Sequence, residues 1–299
     1  MIIKLLISLL FIFLAQLQAG LKIAAFHPLV ADWAREIGAD KVQVIDIAQG
    51  SQNLHQFEPG AKHILALEKA DLWVFSGKGF ETYAADLQEQ LKPHQQVLDL
   101  GRFVPSRKLS EQEARYACCD AHTDIAVDPH WWHRVDYVER AIKVLSKRLQ
   151  KMDSVNAGYY KEREKNYIKQ LNDLNYWVKT QVATIPKKQR YLATDHAAFG
   201  YLCDQYGFKP LFLKGMTAEN SIASKHLMQH MKIIKKYQIK TLFSEELSNP
   251  KMLKQIAQET GAKLGEELIA DGHMTKHIHS YIAMMRHNIS AIVKGLANN

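Results

Sequence analysis

From residue 154 to residue 184 the chain has no Gly or Pro after Gly158. Tyr160, Tyr167, Leu171, Leu174 and Val178 recur there at three-, four- and seven-residue spacings, one apolar stripe on a helical period. About 30 helical residues at 1.5 Å each make a rod of roughly 45 Å, which Pro186 terminates. On both sides of this rod, short apolar runs alternate with helix-like stretches. The runs before it are residues 21–26, 42–47, 72–75 and 97–100, with helices such as 29–38 and 61–70 between them. Those after it are 190–193, 210–213, 241–243 and 263–269, with helices over 222–237 and 250–260 and a closing helix over 278–296. Such alternation predicts parallel sheets flanked by helices. The expected fold is therefore α/β: two lobes, residues 20–153 and 187–299, joined by one long rigid backbone helix over 154–186. No Gly/Ser-rich linker loosens the joint.

The 299 residues suit two domains of roughly 100–200 residues each. Residues 1–19 have Lys4, an apolar run over 5–14, and a small residue at Ala19 followed by Gly20, the pattern of a secretory leader cleaved after Ala19. The apolar run is about half of the ~20 residues that a membrane span needs. No Cys stands at the cleavage point to carry a lipid. The expectation is a periplasmic protein. Its three cysteines, Cys118, Cys119 and Cys203, are too few for a disulfide framework in a fold of this size. Cys203 reads as a buried thiol. The net charge of +8 invites a nucleic-acid reading, but Lys and Arg alternate with Glu and Asp along helices, as over 161–173. That pattern is a solvated helix face, so no nucleic-acid partner is expected. The chain is expected to be a monomer.

Four residues carry the chemistry. His55, His130, His196 and Asp271 each follow a strand-like run, where open α/β sheets bind ligands. Three imidazoles and one carboxylate suit a borderline-soft divalent cation such as Zn²⁺. His55 to His196 and His130 to Asp271 are both 141 residues apart, as if two similar halves each gave two ligands from equivalent loops. Around them, Asp128 and Pro129 read as the cap and first turn of a helix, and Trp131 and Trp132 as walls of a dry pocket. Asp195 is placed to orient the His196 ring, and His133 is a substitute ligand one turn past His130.

These segments resemble the zinc/manganese substrate-binding proteins of ABC transporters, solute-binding family 9. The likeness is carried by NLHQFEPGAKHILALEKADLWVFSGKGFE (53–81), DPHWWH (128–133), TDHAAFGYLCDQYG (194–207), SEELSNPKMLKQIAQETGAK (244–263) and AMMRHNISAIVKGL (283–296), across essentially the whole mature chain. The resemblance implies two α/β lobes on one backbone helix, with the ion in the cleft between them. It places the family's ligands on His55, His130, His196 and Asp271. Some members carry Glu at the third position, which goes with manganese; His196 favours zinc. The implied cargo is Zn²⁺, with Mn²⁺ the alternative, and the implied partner is the membrane permease of an ABC importer.

The chain departs from the family pattern in three places. The stretch before His130 lacks the long His/Asp-rich loop of many zinc members and holds only His122, with Cys118 and Cys119. It reads as an ordinary loop; the rival is an accessory zinc site. His273, His277 and His279 follow Asp271 and read as exposed, the rival being competition with Asp271 for metal. Trp132 and His133 replace residues that are commonly aliphatic and acidic or polar, which affects local shape.

Other function classes fit less well. A zinc hydrolase keeps an open coordination position, which four protein ligands remove. No HExxH helix is present, and nothing in the sequence brings Glu245 or Glu246 to the metal. Metal storage would call for many sites. The reading is a binding protein, not an enzyme.

Overall fold

The computed structural model describes residues 20–49, 53–109, 127–214, 224–275 and 277–297. The expected leader (1–19), Cys118, Cys119 and His122 lie outside them. No described helix is long and apolar enough to cross a membrane.

The first sheet contains β1 (Leu21–Ala25), β2 (Val42–Asp46), β3 (Leu72–Phe75) and β4 (Gln96–Asp99), all parallel, in the order β2-β1-β3-β4. Helices α1 (Pro28–Gly38), α2 (Ala61–Leu67) and α3 (Ala84–Gln88) connect them. α1 starts where sequence chemistry dictates: Pro28 supplies the first-turn φ, and the His27 ring accepts the Leu29 N–H. Beyond this sheet, β5 (Arg107–Lys108) and β6 (Val127–Asp128) form a short antiparallel ribbon. α4 (Val135–Met152) and the long α5 (Ala157–Ala183) follow and pack against each other.

The second sheet contains β7 (Tyr191–Thr194), β8 (Lys209–Phe212), β9 (Thr241–Phe243) and β10 (Lys263–Leu264), also all parallel, in the order β10-β9-β7-β8. α6 (Gly200–Tyr206), α7 (Ser224–Lys236) and α8 (Lys251–Thr260) connect these strands, and α9 (Tyr281–Ala297) ends the described chain. Read from its first strand, each sheet has the same order: the second strand lies on one side, the third and fourth on the other. The molecule therefore has the two parallel-sheet α/β lobes that the alternation predicts.

α5 measures about 40 Å at 1.5 Å per residue. Its buried stripe is the expected one, Tyr160, Tyr167, Leu171, Leu174 and Val178, extended by Glu164 and Val182. α9 packs against both α5 and α1, and the Tyr281 N–H donates to Asp32 Oδ2 at 2.8 Å. One apolar core runs from Ile23 and Leu72 of the first sheet through α4 and α5 to Leu192 and Phe243 of the second. The two lobes are thus welded along one side.

Asp128 does not cap a helix. It ends β6; residues Trp131–His133 form a single 3-10 turn, and α4 begins only at Val135. The two indole groups of this turn reach in different directions. Trp131 Nε1–H donates to Ser76 O at 3.0 Å, beside the first sheet, and Trp132 Nε1–H donates to Ala270 O at 2.9 Å, beyond the second. The Asp128 carboxylate is used elsewhere.

Candidate metal centre

His55, His130, His196 and Asp271 converge, each offering one atom within 4.8 Å of the others; they are the one such cluster among the described residues. His130 stands two residues past β6. Its backbone N–H and its Nδ1–H both donate to Asp128 Oδ1, each at 2.9 Å. With Nδ1 carrying the proton, the lone pair is on Nε2, which faces the cluster. His196 stands two residues past β7 and is held the same way by a different carboxylate. Its backbone N–H donates to Glu245 Oε1 at 3.0 Å, and its Nδ1–H makes a short bond to Glu245 Oε2. Glu245 follows β9, the strand beside β7.

Asp195 plays no part in orienting His196: its carboxylate accepts from Lys214 Nζ at 3.0 Å in a buried pair. The orienting group is Glu245, 49 residues along the chain, which sequence neighbourhood could not reveal. The usable signal is its place at the end of a strand, two residues past Phe243, as His196 is two past Thr194.

His55 lies on the loop between β2 and α2, its ring 4.6 Å from that of Phe80. Asp271 follows Leu268, which bridges to Glu245. Its backbone neighbourhood is pinned: Ala270 O accepts the Trp132 indole N–H and, at 2.8 Å, the His133 Nε2–H. The Asn288 side chain of α9 bonds both the N–H and the C=O of Ile269. His133 is therefore a brace for Asp271 and not a substitute ligand. Gly272 has φ +75°, and a Cβ there would meet Leu29 Cγ at 2.6 Å, so only glycine lets the chain pass α1 here.

The separations are short. His55 Nε2 lies 3.3 Å from His130 Nε2, and Asp271 Oδ1 lies 3.5, 3.4 and 3.8 Å from the Nε2 atoms of His55, His130 and His196. His196 Nε2 and Asp271 Oδ1 are buried and make no hydrogen bond. The His130 and His196 side chains are 0% and 2% exposed, whereas those of His55 and Asp271 are 12% and 16% exposed, so the cluster meets solvent on the His55–Asp271 side.

Charge explains the proton affinities. Burial lowers the His130 pKa, but Asp128 and Asp271 outweigh it and hold the ring up at about 9. His196 is likewise opposed by burial and raised by Glu245. His55, with no carboxylate of its own behind it, is lowered by burial. Burial pushes the Asp271 carboxyl up, and the surrounding imidazoles overcome this and hold it well below the usual range. Asp128, Glu245 and Asp271 thus surround the imidazoles with carboxylates, and Arg107 bridges Asp128 at 3.4 Å and Asp204 at 3.0 Å.

The equal spacing of 141 residues does not mark equivalent loops. His55 follows the second strand of its sheet, and His196 follows the first strand of the other. His130 comes after the β5–β6 ribbon, and Asp271 after β10. The true counterpart of His196 is His27, two residues past β1. Sequence reasoning missed it. His27 is fully buried between Trp132 and Phe80, at 4.5 and 5.0 Å, and burial lowers its pKa to about 3, so it is a neutral wall of the site. Of the later histidines, His277 and His279 are exposed, and neither they nor His273 join the cluster. Cys203 is buried in α6, and Glu246 lies half-buried with its N–H on Leu268 O.

The family model described as zinc-uptake complex component A, periplasmic (ZnuA), matches residues 23–295. The high-affinity zinc uptake system protein ZnuA of Bacillus subtilis is 26% identical over 92% of this chain and 86% of its own length. The iron-binding protein YfeA of Yersinia pestis is 26% identical over 92% and 86%. A manganese-bound periplasmic metal-binding protein from Candidatus Liberibacter asiaticus has the same fold, with a TM-score of 0.81 and 22% identity over 92% of this chain and 99% of that one. Two parallel-sheet lobes, the convergent donors and a match over almost the whole described chain lead to one assignment: the protein belongs to the ZnuA family, the periplasmic metal-binding receptors of ABC importers.

Proposed function

We propose that this chain is an exported zinc receptor, which captures Zn²⁺ on His55, His130, His196 and Asp271 and delivers it to the permease of an ABC importer. The observation that carries the proposal is the donor geometry. A tetrahedral ion with bonds of ~2.0–2.1 Å needs donors about 3.3–3.4 Å apart; the His55–His130 and the three Asp271–imidazole separations are 3.3–3.8 Å, and all four donor atoms lie within 4.8 Å of one another. Relatives named for zinc and iron, and a manganese-bound structure, match comparably well, so the choice of metal rests on the donors. Three imidazoles with one carboxylate suit zinc; manganese is better served by oxygen-rich octahedral sites.

Four protein donors close the coordination sphere, and the nearest spare carboxylate, Glu245, is committed to His196. That favours carriage over hydrolysis. His55 and His130 come from the segment 20–153, and His196 and Asp271 from 187–299. Docking on the permease that parts these two pairs releases the ion. In this reading the protein is exported through the leader at 1–19, acts as a monomer and has no nucleic-acid partner.

The test is calorimetric titration of the metal-free mature chain with Zn²⁺ and Mn²⁺, with and without His196→Ala. One tight Zn²⁺ site, abolished by the substitution, supports the proposal; tighter Mn²⁺ binding, or Zn²⁺ binding that survives, refutes it. A cross-link between the two segments that leaves uptake unchanged would refute the release step.

A further inference from the structure

A cleft of about 560 Å³ lies at the end of the second sheet remote from the metal centre. Tyr191, which opens β7, lines it, and His196 stands past the other end of that strand. Lys209 opens β8, and Lys240 directly precedes β9. Lys236 and Tyr237 come from the end of α7, and Lys188 from the turn after α5. Four lysines and two tyrosines thus face one cavity, and no Asp or Glu lines it among the described residues.

Its four lysines are exposed, and two of them are arranged around a pair of rings. The Tyr191 and Tyr237 rings stack, with centroids 5.0 Å apart and planes at 24°. Lys209 Nζ lies 5.1 Å from the Tyr191 centroid and Lys236 Nζ 5.2 Å from the Tyr237 centroid. Cation–π attraction therefore biases these two exposed ammonium groups toward the stacked rings. Ile239 and Leu296, both buried, form an apolar floor. Simple helix capping accounts for Lys236 at the end of α7. It does not account for Lys209 and Lys240, which lie outside any helix, or for Lys188, which lies in the single 3-10 turn Lys187–Gln189.

We propose that this cleft is an anion-binding site for a phosphate-bearing group, seated among Lys188, Lys209, Lys236 and Lys240, with an adjoining apolar part against the floor. Lysine ammonium groups bind phosphate as point charges and need no bidentate geometry. The volume is that of a small-molecule site and exceeds what one inorganic ion fills. Two sources share this chemistry: a soluble organic phosphate, or the headgroup of an anionic phospholipid. The site is independent of the metal centre, because it sits at the opposite end of the strands.

The test uses the full mature chain, loaded with Zn²⁺, at low ionic strength. One arm titrates pyrophosphate and adenosine diphosphate calorimetrically; the other measures co-flotation with phosphatidylglycerol-containing vesicles against phosphatidylcholine alone. The double variant Lys209→Gln, Lys236→Gln is compared with Lys147→Gln, Lys179→Gln, which removes the same charge from exposed helix positions. Saturable binding in either arm, weakened at least tenfold in the first variant and less than twofold in the second, supports the proposal. The arm that responds identifies the source. Equal weakening by both variants reduces the effect to net charge and overturns it, as does the absence of binding in both arms. Zn²⁺ titration of the first variant should match the unaltered chain, which establishes that it folds.

Discussion

The two lobes hold a histidine by the same device, built from different materials. In the first lobe, Asp128 and His130 are two residues apart, and one short turn fixes carboxylate, backbone N–H and ring together. In the second, Glu245 reaches His196 from 49 residues away, and the two meet only because β9 and β7 are neighbours. The outcome is the same, an Nδ1–H tied back and an Nε2 lone pair presented. The dependence on the fold differs. A local brace survives small shifts of its lobe, whereas a brace between strands fails if the strands slip. His55 has neither, and it relies on its loop and on Phe80.

The largest effect tests whether the lobes share one centre. Asp271 lies within 3.8 Å of all three imidazoles. Asp271→Ala should weaken Zn²⁺ binding on the order of a thousandfold, about 4 kcal/mol, by competition with a chelator of known affinity. A loss below tenfold would mean that the lobes do not close on one ion.

The braces themselves come next. Asp128→Ala and Glu245→Ala should each weaken Zn²⁺ binding by roughly 10–100-fold, the usual cost of removing a group that orients a ligand histidine. Asp195→Asn sharpens the comparison. It should leave affinity within about threefold, yet cost about 3–5 kcal/mol of stability in urea unfolding by leaving the buried Lys214 unpaired. If Asp195→Asn impaired binding as much as Glu245→Ala, the assignment of Glu245 would be wrong.

Acidity separates the lobes from His55. The His130 ring is raised to about 9 when metal-free, so Zn²⁺ must displace its proton, and affinity should rise with pH from 6 to 8. Calorimetry in two buffers of different ionisation enthalpy should show at least one proton released per ion. The sign for stability is opposite. A histidine whose folded value exceeds its unfolded ~6.5 stabilises the metal-free fold fully below pH 6.5, and that contribution fades as pH rises through about 9. Asp128→Ala should reduce both dependences.

The smallest effect concerns the clamp between the lobes. Trp132→Phe removes the indole donor to Ala270 O while keeping most of the buried volume. It should cost about 1 kcal/mol of stability and only a few-fold in affinity, since His133 still donates to the same carbonyl.

Much of this was legible in the chain itself. Strand and helix periods report which faces are buried, and that is a local property; the alternation and the stripe from Tyr160 to Val178 therefore predicted two parallel-sheet lobes and a long helix. His55, His130, His196 and Asp271 stood out by donor type and by the family resemblance of the segments that carry them; that they converge is a fact of the tertiary structure. Tertiary structure decided what touches what. It paired Glu245 with His196 and gave Asp195 to Lys214. It turned Trp132 and His133 into a clamp on Ala270, and it made His27, not His55, the counterpart of His196. Each of these contacts joins residues far apart in sequence or depends on which strands lie side by side. Spacing along a chain does not encode strand order, so an equal count of residues between ligands looked like symmetry where the sheets have another register.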